Sequence, residues 1–144
     1  MEAGKSLMCG ITGFITAGSP FSRVEMERVL ATMTDTIIHR GPDDGGSWSD
    51  AEAGVWLGHR RLAIVDLSPA GHQPMQSASG RYMIAFNGEI YNHLSLRQVL
   101  ETAGQSPSWR GHSDTETLLA GFDAWGVQCT VERAIGMFAF AVWD

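Results

Sequence analysis

Apolar residues recur along the chain with two spacings, and each spacing predicts a different element. From Met8, Ile11, Phe14 and Ile15 stand among Thr and Gly in a pattern that suits a buried strand. Ser22 then opens a helix: Ser22 and Glu25 have capping-box spacing, and Phe21 and Met26 that of a hydrophobic staple. Met26, Val29, Leu30, Met33 and Ile37 follow at helical spacing as one apolar stripe. Pro42 ends it, since a proline drives the residue before it out of the α region. Strand-like runs come next at 46–48 and 55–58, followed by 62–65, and then a loop rich in Gly, Pro, Ser and Gln over 68–80. Runs at 82–86 and 89–91 flank Asn87-Gly88, the strongest short hairpin signal. Helices are expected over 93–103, stopped by Gly104, and over 115–125, stopped by Gly126. In the second, Leu118, Leu119, Phe122 and Trp125 share a face. A short turn near 131–134 leads to Met137–Trp143, read as a core strand. Strand pairs alternating with helices, without regular βαβ units, favour sheets with helices packed outside them.

Composition narrows the class. The 144 residues are 44% hydrophobic and 18% charged, which suits one domain or most of one. The longest apolar run, Met137–Trp143, is far too short to span a membrane, and the opening residues lack the apolar core of a secretory signal. Sixteen acids against ten bases argue against a nucleic-acid binder. Two cysteines, Cys9 and Cys129, are too few for a disulfide framework, so a cytoplasmic setting is expected. Cys129 sits in no motif and reads as a passive buried thiol.

Cys9 carries the sharpest candidate chemistry. Most cysteines are small buried hydrophobes. A cysteine at an amino terminus is different, because its α-amine, with a pKa of about 8, can take the thiol proton near neutrality. Initiation at Met8 would create that terminus, since a small second residue permits methionine removal. Asn87 and Gly88 offer a side-chain amide and an unhindered N–H to a developing oxyanion, although a plain hairpin would use the same pair. Arg61 can fork onto a carboxylate, or merely form a surface ion pair. Asp114 starts a helix, where Ser113 and Glu116 again have capping-box spacing; it would bind an ammonium or simply favour the helix dipole.

These features combine in one order: MCGI (8–11), HRGPDD (39–44), GHRRLAIVD (58–66), FNGEIYNH (86–93), HSDTE (112–116) and GMFAFAVWD (136–144). Together they resemble the glutaminase domain of asparagine synthetases and related class II glutamine amidotransferases, which are N-terminal-nucleophile hydrolases. The resemblance covers Met8 to Asp144. It implies an α+β fold, the four-layer αββα sandwich of those hydrolases, here lacking its C-terminal strands. It implies that Cys9 attacks the glutamine side-chain amide and releases ammonia through a thioester, with Asn87 and Gly88 as the oxyanion hole. Arg61 would hold the α-carboxylate, Asp114 and the Glu89 region the α-ammonium, and the backbone at Ile64 and Val65 would line the pocket. No metal or cofactor is implied for this half. ATP and magnesium belong to a synthetase domain, whose Ser-Gly-Gly-x-Asp-Ser type of loop is absent here. The partners implied are glutamine and that synthetase domain, with neither nucleic acid nor membrane, and a homodimer is left open. Asparagine formation from aspartate is the leading acceptor chemistry, with amidation of a carbohydrate or another carboxylate close behind.

One departure matters for the mechanism. Cys9 follows eight residues, so its nitrogen is an amide, and Glu2 does not favour removal of Met1. Residues 1–8 are therefore expected to be a leader or propeptide-like extension before a glutaminase domain over 9–144. A retained leader would silence the site, and the alternative reading is a glutaminase-like structural or regulatory domain. A free-standing cysteine amidase of the penicillin-acylase type would keep the terminal cysteine but has no use for paired carboxylate and ammonium binders.

Overall fold

The computed structural model describes residues 8–18, 21–63 and 68–144. Its elements run β1 (Gly10–Ile15), α1 (Arg23–Thr36), β2 (Asp44–Asp50), β3 (Val55–Arg61), one 3-10 turn (Pro69–Gly71), β4 (Met75–Gln76), β5 (Met83–Ile90), α2 (His93–Thr102), α3 (Asp114–Trp125), α4 (Val127–Arg133) and β6 (Gly136–Trp143). The architecture is a mixture of helices and antiparallel sheets, an α+β fold. Among the described residues there are two sheets, ordered β1-β3-β2 and β4-β5-β6. No described helix is long and apolar enough to cross a membrane.

Strand alternation explains how the layers meet. Along β3, Trp56 turns toward α1, where Met26 and Leu30 cover it and Phe14 stacks at a centroid distance of 5.7 Å. Val55 and Leu57 point the other way and pack with Met83, Ala141 and Trp143 of the second sheet. The far face of that sheet offers Ile84, Phe86, Phe138 and Phe140 to Leu118, Leu119 and Phe122 of α3 and Leu96 of α2. Each sheet thus has one face on the other sheet and one face under helices. Burying Leu30, Leu118 and Phe122 completely is worth about 1.5–3 kcal/mol per side chain.

The local signals mostly hold. The Ser22 capping box forms as expected, with Ser22 Oγ accepting from the Glu25 N–H and Glu25 accepting from the Ser22 N–H. The α1 stripe is narrower than its spacing suggests. Met26, Leu30 and Thr34 are buried, whereas Val29 is exposed.

Several expectations are corrected. Asn87-Gly88 makes no hairpin turn: β5 runs straight through it, pairing Asn87 with Ala139 and Gly88 with Phe138. A two-residue turn is stable only if its flanking runs pair with each other, and here both pair with β6 in one continuous register. The segment near 131–134 is the end of helix α4 rather than a turn, with Gly126 closing α3 and opening α4. The strand at 55–58 extends to Arg61, and Leu62 and Ala63 lie outside it. β6 is an outer strand of its sheet among the described residues, with Met137 exposed, not a strand sunk in the core. Cys129 is exposed on α4, so it is not a buried thiol.

Candidate active site

The first sheet brings Cys9 to the end of β3. Gly10 pairs with Arg60, so Cys9 falls beside Arg61 and Leu62. The Leu62 N–H donates to Cys9 Sγ at 3.3 Å, and the thiol can donate to the Leu62 carbonyl at 3.6 Å. The loop after α1 braces this corner. Arg40 Nε donates to the Cys9 carbonyl at 3.3 Å, and the Asp43 carboxylate accepts from the Ala63 N–H at 2.8 Å. Sequence reasoning quoted His39-Arg40-Gly41-Pro42-Asp43 as a motif but gave Arg40 no role. Gly41 is the accompanying signal, because a Cβ there would stand 2.4 Å from the Arg60 carbonyl carbon.

A cavity of about 290 Å³ opens beside Cys9, and Arg61, Asn87, Gly88, Glu89 and Asp114 all line it. Ile64 and Val65, also expected there, lie outside the described residues. Met8 lines the same cavity, so the residue bonded to the Cys9 nitrogen occupies part of its wall.

Arg61 is buried at 8% exposure and is not the surface side chain that arginine usually becomes. Alternation along β3 turns Val55, Leu57, His59 and Arg61 toward the second sheet, and the last of them lines the cavity. Arg61 Nη1 donates to the Ser68 carbonyl at 3.1 Å. Gly71 makes room for the guanidinium, since a Cβ there would lie 2.1 Å from Nη2.

Asp114 is the first residue of α3, after its N-cap Ser113. Its carboxylate accepts from the Thr115 N–H at 2.9 Å and from the Ile90 N–H at 3.0 Å. Burial pushes the Asp114 pKa above the usual carboxylate value, and those two backbone donors oppose the rise. Among the described residues no Lys or Arg forms an ion pair with Asp114, whereas the neighbouring Glu116 is held by Arg97 and Arg110. An arriving ammonium would therefore relieve an uncompensated charge. The second half of the expected capping box is missing, because Glu116 accepts instead from the Arg110 and Gly111 N–H groups at 2.7 and 3.1 Å.

Gly88 gives the wall its open backbone. Its φ of +143° suits glycine alone. Peptide groups alternate edges along a strand, so its N–H lies on the same side as those of Phe86 and Ile90. That is the side on which the Asp114 carboxylate takes the Ile90 N–H.

His59 is fully buried, and its Nε2 lies 2.8 Å from the Phe86 carbonyl. A carbonyl only accepts, so Nε2 carries a proton. Burial pulls the His59 pKa from 6.5 down to about 4. The unfolded chain therefore binds the extra proton first, and stability present above pH 6.5 drains away as pH falls toward 4. The expected loss by pH 4 is about 3 kcal/mol from this group alone. Denaturant midpoints between pH 7 and pH 4 check it: His59→Gln flattens the slope, and an equal slope in that variant would remove His59 as its source.

Comparison with known proteins shows the family of the chain. A family profile described as "Glutamine amidotransferase domain" matches residues 8–144. The chain is 42% identical over 139 residues to the glutamine-hydrolyzing asparagine synthetase 3 of Bacillus subtilis, covering 95% of this chain and 21% of that protein. It is 37% identical over 137 residues to asparagine synthetase 1 of the same organism, with the same coverage. It is also 37% identical over 144 residues to the amidase chry2 of Gibberella zeae, again covering 95% and 21%. The chain thus spans about a fifth of the length of the curated relatives it matches.

Proposed function

This chain belongs to the glutamine amidotransferase domain family, and from that premise we propose that it hydrolyses glutamine to glutamate and ammonia at Cys9. One observation carries the reading. A cysteine, a buried arginine, a buried carboxylate and a glycine backbone line one cavity from four separate parts of the chain. Arg61 binds the glutamine α-carboxylate. Asp114, with Glu89 at the rim, takes the α-ammonium. An analogue lacking either charge would leave a buried partner unpaired, which makes the pair a specificity device.

With the amino acid held at both charges, its carboxamide reaches Cys9. The thiolate sulfur attacks the carboxamide carbon, and the oxyanion is met by the Gly88 N–H and the Asn87 amide. The carbon–nitrogen bond then breaks, ammonia leaves with a proton from the general acid, and water cleaves the thioester to glutamate. The general base is the Cys9 α-amine, which exists only when Cys9 is the first residue. The glutaminase reaction written this way draws on no metal or cofactor.

The stacking of helix, sheet, sheet and helices supports the four-layer αββα sandwich of the N-terminal-nucleophile hydrolases as the fold, with residues 1–8 as its leader and 9–144 as its glutaminase domain. In the parent protein the ammonia would pass to a synthetase domain that binds ATP and magnesium. Asparagine formation from aspartate fits the names of the Bacillus subtilis relatives best. Met8 in the cavity wall favours one second reading: with residues 1–8 attached, the domain is silent and serves a structural or regulatory role.

Ammonia and glutamate release from glutamine separates the readings. The form beginning at Cys9 is expected to turn over and the form retaining residues 1–8 is not; no release from either would sink the glutaminase. In the active form, Arg61→Ala is expected to raise KM about 10–100-fold, the worth of a charged hydrogen-bond pair. An unchanged glutamine dependence would remove Arg61 from the pocket.

A further inference from the structure

We propose that His59 and Gln73 are positioning residues for the reaction at Cys9: together they grip both backbone groups of Phe86 and so aim the Gly88 N–H into the cavity. The inference rests on the glutaminase reading above and deepens it. Neither side chain was singled out from the sequence for such a role.

The argument begins with a strand that stops short. β4 has only two residues and pairs with β5 at Met83 and Ile84. Past Ile84 the same edge of β5 meets no further strand among the described residues. Buried peptide groups there still need partners. At Phe86, 2% exposed, side chains supply them: the N–H donates to Gln73 Oε1 at 2.6 Å, and the carbonyl accepts from His59 Nε2 at 2.8 Å. Two residues beyond Gly88, Asp114 takes the Ile90 N–H at 3.0 Å. The edge is therefore clamped at Phe86 and at Ile90. Among the described residues no side chain caps the Gly88 N–H between them.

Both gripping side chains are themselves fixed. His59 is 0% and Gln73 6% exposed. Each also ties the gripped strand to another wall of the cavity. His59 stands two residues before Arg61 on β3. Gln73 donates from Nε2 to Thr115 Oγ1 at 3.4 Å, beside Asp114. The oxyanion donor, the carboxylate binder and the ammonium binder are thereby referred to one frame. His59 Nδ1 has no partner among the described residues, so the whole hydrogen-bonding capacity the ring uses there goes to this strand.

The test reads local order in the full chain and turnover in the form that begins at Cys9. His59→Leu and Gln73→Leu are each expected to speed amide exchange at Asn87 and Glu89 about tenfold relative to Leu118 in α3. They are expected to lower kcat about 10–100-fold while KM for glutamine stays within about threefold, since the charged binders remain. His59→Gln, which restores an N–H donor, should recover most of kcat and the exchange pattern. Protection lost evenly over the chain, or KM rising as far as kcat falls, would overturn the positioning role. If His59→Leu does not fold, Gln73→Leu decides alone, and wild-type exchange there overturns the proposal. A wild-type form beginning at Cys9 that hydrolyses no glutamine sinks the glutaminase reading instead, and the exchange pattern then decides the clamp by itself.

Discussion

In the form that begins at residue 9, alanine in place of Cys9 is expected to abolish glutamine hydrolysis while leaving the fold in place. The thiol is half-buried and, among the described residues, makes two weak hydrogen bonds, both with the Leu62 backbone. Losing them costs about 1 kcal/mol or less, in line with weak sulfur hydrogen bonds at a partly solvated site. The catalytic loss is of another order. No other thiol lies in the cavity, and removing a nucleophile that acts as a unit with its base leaves only binding and oxyanion stabilisation. Glutamate release at saturating glutamine, with the thermal midpoint of the same sample, checks both halves. Turnover at the wild-type rate in Cys9→Ala would end the thioester mechanism.

Gly88→Ala is expected to damage stability and catalysis together. A Cβ at this position would stand 2.3 Å from the Met137 carbonyl oxygen and 2.4 Å from Phe138 Cα. Both obstacles are backbone of β6, so no side chain can swing aside. The φ of +143° adds strain for any residue with a Cβ. Strain and overpacking together cost on the order of 2–5 kcal/mol. Relief requires β5 and β6 to separate, which turns the N–H away from the oxyanion position and lowers kcat about 10²–10³-fold. Gly104→Ala is the matched control: its φ is +67°, but nothing lies within 4 Å of a Cβ there, so it should lose stability only. Equal behaviour of the two variants would show that the β6 contact at Gly88 is unimportant.

The site was more legible in the chain than the framework that holds it. Cys9, Arg61, Asn87, Gly88 and Asp114 stand in short motifs whose chemistry can be named from residue type and spacing, Glu89 enters only through the family resemblance, and all six line one cavity. His59 and Gln73 were not legible as supports. Each acts by gripping a backbone group of Phe86, and no side-chain pattern announces that. Arg40 was hidden for the same reason, since its partner is the Cys9 carbonyl.

What the amino-acid sequence determined by itself is local chemistry: the Ser22 cap of α1, the Gly126 end of α3, and the identity of the charged and nucleophilic groups. Those features depend on neighbours within about one turn or one strand, so spacing is enough to read them. Only the tertiary structure decided what Asn87-Gly88 becomes. By local preference it is a turn, yet pairing eight residues of β5 with β6 far along the chain forms a full ladder of hydrogen bonds that a two-residue loop cannot match. Only the tertiary structure decided, too, that Gly88 shares a cavity with Cys9, because no spacing along a chain encodes which edge of a strand lies over a cavity from another sheet. The physical reason is one of range: propensity acts between neighbours, while buried peptide groups and apolar faces must find partners wherever the fold supplies them.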